Sequence, residues 1–139
     1  MGRIVAIDYG KQRCGVAWTD PLQLSVNPQP WIAPSELLDF VVDFIAAENV
    51  DLVILTKSQH KDGTANTIQK DIDRFAERLK KKNPSINLDY ADEYKSSKEA
   101  AQYLVNTGVG KKKRSKKGAL DSIAAGIILE RYLRDTGRW

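Results

Sequence analysis

Four apolar residues, Ile4 to Ile7, run unbroken up to the first carboxylate of the chain, Asp8. Ile4 and Ala6 would face one side of a strand, and Val5 and Ile7 the other. A strand apolar on both faces suits the interior of a sheet. After a turn over Tyr9 to Gln12, residues 13–20, RCGVAWTD, read as its hairpin partner. Pro21, Pro28 and Pro30 restrict any strand in 21–33 to a short or edge one. Residues 35–48 place Leu37, Val41, Phe44 and Ile45 on one helical face, with Ser35 as the expected N-cap. DLVILT, residues 51–56, is a second strand suited to a sheet interior. From Thr64 to Lys82, Ile68, Ile72, Phe75 and Leu79 repeat with helical spacing. Lys80 to Lys82 suit the end of its dipole, and Asn83-Pro84 stops it. Residues 86–94, INLDYADEY, alternate as a strand and end among acids. Ser96 and Glu99 have capping-box spacing for a helix ending at Gly108. The final helix, 119–134, has the wholly apolar centre IAAGIIL and is expected to be buried. This order predicts an α/β fold, a mixed sheet covered by helices, in a single domain over residues 1–139.

Composition narrows the chemistry. The single cysteine, Cys14, excludes an internal disulfide and fits a reducing, cytoplasmic setting. With it stands a single histidine, His60, so a zinc site of Cys/His type cannot be assembled. No apolar run approaches the ~18 residues of a membrane span, and the start of the chain lacks the layout of a signal peptide. The net charge of +4 is uneven: KKKRSKK, Lys111 to Lys117, holds six of the 22 basic residues. The remaining 16 face 18 acids, so the body is slightly acidic and the basicity lies on one segment. Such a run is either a solubilising loop or a grip on phosphates, and its concentration favours phosphates.

Three acids stand at ends of predicted elements. Asp8 ends the first strand, Glu93 (with Asp92 beside it) ends a later one, and Asp121 opens the last helix. Asp121 shares a helical face with Ala124, Ala125 and Ile128, which would aim it at the sheet. In open α/β sheets, ligands gather outside the carboxyl ends of the strands. Three acids there without bases would repel, and a shared hard cation, Mg²⁺ or Mn²⁺, would relieve that. Each acid also has an ordinary reading, as a turn cap, a solvated side chain and a helix cap. Lys11 and Arg13 flank the Asp8 turn and could reach phosphate oxygens or merely solubilise the hairpin end.

RIVAIDYGKQRCGVAWTD resembles the opening hairpin of the YqgF/RuvX-type family of pre-16S rRNA nucleases and Holliday junction resolvase homologues. DEYKSS, residues 92–97, resembles its second motif, and KKKRSKKGALDSIAAGIIL, residues 111–129, its third. The resemblance covers nearly the whole chain in order. It implies a ribonuclease-H-like fold with a mixed five-stranded sheet, and Asp8, Glu93 and Asp121 as metal-binding catalytic acids. It also implies divalent-metal phosphodiester hydrolysis at the 5′ end of pre-16S rRNA. The partners expected are structured RNA, branched DNA and ribosome precursor particles, gripped by Lys11, Arg13, Lys111, Lys112, Lys113, Arg114, Lys116 and Lys117. Two departures bear on substrate grip: Tyr94 stands where the family usually has Arg, and Thr56-Lys57-Ser58 replaces a Gly-Leu-Pro turn.

Rival readings remain at this point. Asp8-Tyr9-Gly10 also resembles the first phosphate loop of sugar-kinase and actin-type ATPases, but those close two domains around ATP. A non-catalytic nucleic-acid-binding module would use the basic run alone, and a resolvase would act on branched DNA.

Overall fold

The structure, a computed structural model, describes residues 2–57, 67–92 and 119–139. Strands β1 (Arg3–Asp8), β2 (Cys14–Thr19) and β3 (Val26–Ile32) precede helix α1 (Pro34–Ala47). Strand β4 (Val50–Lys57), helix α2 (Thr67–Lys82), strand β5 (Asn87–Asp92) and helix α3 (Ala119–Asp135) follow. The helix expected to end at Gly108 lies outside the described residues.

The strands form one sheet in the order β3-β2-β1-β4-β5. β1 is central, as its two apolar faces require: it pairs antiparallel with β2 (Ile7 opposite Val16) and parallel with β4 (Ala6 opposite Ile54). β4 continues in parallel to β5, with Thr56 opposite Ala91. The parallel connections need crossovers, whereas β1, β2 and β3 follow one another as antiparallel neighbours.

Alternation along the strands divides the core in two. Val5, Ile7, Val16, Val53 and Leu55 pack with Leu37 and Val41 of α1 and with Ile72, Phe75 and Leu79 of α2. Ile4, Ala6, Ala17, Leu52 and Ile54 pack on the other face with Ala125, Ile128, Leu129 and Leu133 of α3. Fully burying each large aliphatic side chain contributes roughly 1.5–3 kcal/mol, so both faces are needed to outweigh the entropy of ordering the chain. The buried centre of α3 thus has its reason: it covers β1, β2 and the edge strand β3 on this face. Its small residues allow close approach, since a Cβ on Gly126 would stand 3.1 Å from Cγ of Pro28.

One expectation changes. Ser35 does not cap α1: the helix starts at Pro34, behind Ala33, without a side-chain cap bond. Proline needs no partner for an N–H at the first helical position, and its fixed φ already suits the helix. The strand that carries Pro28 and Pro30, β3, runs seven residues. It is an edge strand, where the missing donors of Pro28 and Pro30 are tolerated. Trp18 is core, its ring stacked 4.3 Å from Phe44, whereas Trp31 on β3 is exposed.

Candidate nuclease site

Asp8 is the last residue of β1 and is half-buried. Parallel pairing carries the ends of β1, β4 and β5 to one edge of the sheet. The pairing of β1 with β4 ends at Ala6 opposite Ile54, and Asp8 and Thr56 each follow two residues later on neighbouring strands. Thr56 is in turn paired with Ala91, and Lys57 with Asp92, the last residue of β5. Alternation puts Asp8, Thr56 and Ala91 on the face that carries Ile4, Ala6 and Ile54, the face α3 covers.

The turn after Asp8 is tightly closed. The Cα of Gly10 lies so near Arg13 that a Cβ there would be 2.2 Å from the Arg13 carbonyl oxygen. The Cys14 thiol, wholly buried, points back at the Gly10 carbonyl at 3.6 Å and serves the turn, as a structural thiol would. Lys11 is exposed on this turn and Arg13 half-buried, so both cations stand within a few residues of the Asp8 edge.

Tyr9 turns to the opposite face of the sheet, where its ring meets Phe75 at 6.1 Å. There it lines a groove of about 230 Å³ with Ser35 and Asp39 of α1 and Asp71, Arg74 and Arg78 of α2. Burial raises the Tyr9 phenol above its ordinary value; Cys14 and Asp71 add to this, while Arg78 and Arg74 oppose it. The polar face of α2 therefore lines a groove beside the residue following Asp8.

Of the three acids singled out, only Asp8 has a described side chain. Asp121 lies in the first turn of α3, the helix laid against the same face as Asp8, and its side chain is outside what is described. Glu93 and the segment Lys111, Lys112, Lys113, Arg114, Lys116 and Lys117 lie outside the described residues altogether. Among the described residues, no three Asp, Glu, His or Cys side chains are grouped as metal ligands.

Sequence reasoning missed the role that position gives Thr56. It is fully buried, and its Oγ1 has no hydrogen-bond partner among the described residues. Leaving a buried hydroxyl unpaired costs about 1–3 kcal/mol. The signal available was its departure from the Gly-Leu-Pro turn. The Asp8 carboxylate at the end of its strand is the kind of hard oxygen ligand that suits a divalent cation.

The match to known proteins decides the family. The model of the RuvX family, described as Holliday junction resolvase, matches residues 2–135. The chain belongs to that family. A relative from Chlorobium phaeobacteroides, named "Putative pre-16S rRNA nuclease", is 39% identical over 135 residues, covering 97% of this chain and 94% of the relative. One of the same name from Bacteroides thetaiotaomicron is 38% identical over 133 residues, covering 96% of each. Among solved structures, RuvC of Thermus thermophilus in complex with Holliday junction substrate superposes with a TM-score of 0.60 at 10% identity, over 96% of this chain and 95% of that one. A second Thermus thermophilus RuvC structure gives 0.59 at 9% identity, over 96% of each. At such identities the likeness concerns the fold, which is ribonuclease-H-like, as the motifs of this RuvX-family chain implied. No helix among the described residues is long and apolar enough to cross a membrane.

Proposed function

We propose that this protein is a divalent-metal-dependent nuclease that hydrolyses phosphodiester bonds in maturing the 5′ end of pre-16S rRNA. The observation that carries the reading is the sheet edge: β1 ends in Asp8, and β5, parallel to it across β4, ends in Asp92 immediately before Glu93. Asp8, Glu93 and Asp121 hold the cation, with carboxylate oxygens suited to Mg²⁺ or Mn²⁺. When bound, that cation supplies an activated water and offsets charge on the phosphate. In the reaction water adds to phosphorus, one P–O ester bond breaks, and the leaving oxygen takes a proton.

The chain's cations have a separate task. Lys11 and Arg13 grip phosphates beside the scissile bond, and the Lys111–Lys117 run holds the backbone further away. Such contacts position a nucleic acid and carry little sequence information. The relatives' shared name supports the choice of rRNA precursor, and the match along nearly the full length of both chains supports carrying it over. The test is cleavage of a pre-16S 5′-end transcript, beside a branched DNA, with Mn²⁺, with Mg²⁺ or with EDTA. Metal-dependent cleavage of the transcript is expected. Cleavage confined to branched DNA would replace the substrate, and binding that survives EDTA without any cleavage would leave a non-catalytic binding module.

A further inference from the structure

The two fully buried threonines of the sheet differ in one respect. Thr19 accepts a hydrogen bond from the Ile4 N–H at 3.0 Å. Thr56 is equally buried, yet its hydroxyl has no partner among the described residues. Valine has the same shape and carries no polar atom, and it would fill that place without an orphaned group. Burial by itself therefore gives no reason for a threonine here.

Position supplies one. Thr56 and Asp8 lie on neighbouring strands, each two residues beyond the last pair, Ala6 opposite Ile54, and alternation puts both on the same face of the sheet. On its other side the paired residue is Ala91, which offers no polar side-chain atom. Asp89, earlier on β5, is level with Ile54 rather than Thr56, and accepts the Tyr132 hydroxyl at 2.6 Å. Among described side chains on this face, the acceptor that likewise follows that last pair by two residues is the Asp8 carboxylate.

We propose that Thr56 is a positioning residue for Asp8: its hydroxyl donates a hydrogen bond to the Asp8 carboxylate when that carboxylate turns to hold a divalent cation. The inference rests on the metal-dependent reading given above. One carboxylate oxygen then faces the cation and the other faces Thr56, so the hydroxyl fixes the orientation of the ligand without touching the metal. Partners of this kind orient metal-bound side chains and strengthen their hold on the ion. The proposed bond gives the buried Thr56 hydroxyl the partner it otherwise lacks among the described residues.

The test is calorimetric titration of Mn²⁺ into the full chain, carried out on the unaltered protein and on T56V, T56S and D8N. Removing the hydroxyl in T56V is expected to weaken Mn²⁺ binding by about tenfold, the lower end for such partners. T56S keeps the hydroxyl and is expected to bind close to the unaltered protein. Thermal unfolding in EDTA provides a readout independent of the metal: T56V should melt at the same temperature or higher, because it loses an unpaired buried group. T56V binding Mn²⁺ as tightly as the unaltered protein would overturn the role of Thr56 alone. So would T56S losing as much affinity as T56V, since the methyl group would then be what matters, or T56V melting well below the unaltered protein or failing to fold, since the hydroxyl would then be serving the fold. An unaltered protein with no saturable Mn²⁺ binding, or with binding untouched by D8N, removes the metal site at Asp8 and the Thr56 role with it.

Discussion

Gly10 lies so close to Arg13 that a side chain on the first would meet the carbonyl oxygen of the second at 2.2 Å. Both atoms belong to the backbone side of a tight turn, so no flexible side chain can yield to relieve the contact. That turn begins directly after Asp8 and carries Lys11 and Arg13. Gly10→Ala must open it, and the expected loss is on the order of 1–3 kcal/mol, seen as a melting temperature several degrees lower. The shift should also displace Asp8, so metal-dependent cleavage should fall further than the loss of folded protein accounts for. A Gly10→Ala variant equal to the unaltered protein in both respects would mean that the turn accommodates the methyl group.

Three tyrosines give the protein a defined weakness in alkali. Burial raises the phenols of Tyr9, Tyr90 and Tyr132 above the ordinary 10.0; Asp73 adds to the effect at Tyr90 and Asp89 at Tyr132. In the unfolded chain these phenols lose their protons near 10.0, while the folded protein still holds them. The folded state then binds more protons, so stability is intact below that value and falls as pH rises through the folded values. Urea unfolding at about pH 9 and about pH 11 should show the decline. Tyr132→Phe, which cannot ionise, should make the decline shallower. An identical decline in that variant would exclude Tyr132 as a contributor.

How much of this was legible in the sequence depended on how local the cause was. IVAI and LVIL are apolar on both faces, and such runs belong in a sheet interior wherever it lies. The spacing of Ile72, Phe75 and Leu79 names a buried face before any partner is known, and all three are in the core. Pro28 and Pro30 indicated a short or edge strand because a missing donor is a local fact. Ser35 misled because a good capping residue competed with a proline one position earlier, and the proline's fixed φ prevailed. Thr56 stood out in the sequence only as a departure from the Gly-Leu-Pro turn, because whether its hydroxyl is satisfied depends on the register of β4 against β1 and β5. The groove beside Tyr9 was hidden for a similar reason, since it forms only where α1 and α2 meet.

The basic run from Lys111 to Lys117 should announce itself through salt. Each phosphate that is no longer neutralised lowers the salt slope of binding by about 0.9 for duplex, or about 0.7 for single strands. Replacing Lys111, Lys112 and Lys113 by Gln should therefore flatten the slope and weaken binding to unrelated sequences alike. Nitrocellulose binding of one RNA over a range of salt concentrations measures this. An unchanged slope would mean that the run serves solubility alone.

Asp8→Asn separates the chemistry of the site from the stability of the fold. Asparagine keeps the size of aspartate and can still cap a turn, but it carries no negative charge for a cation. If Asp8 holds the metal, Mn²⁺-dependent cleavage should fall by more than about a hundredfold, because activation of water is lost with the ligand. Stability without metal should hold or rise. The end of β1 is half-buried, and an anion partly withdrawn from water is costly there. If Asp8 instead only caps its turn, asparagine should serve nearly as well and cleavage should survive. Thermal unfolding in EDTA and cleavage with Mn²⁺, measured on the same preparation, decide between these outcomes. A stable and inactive Asp8→Asn protein assigns Asp8 to catalysis, an unstable one to the fold, and a fully active one removes Asp8 from the reaction.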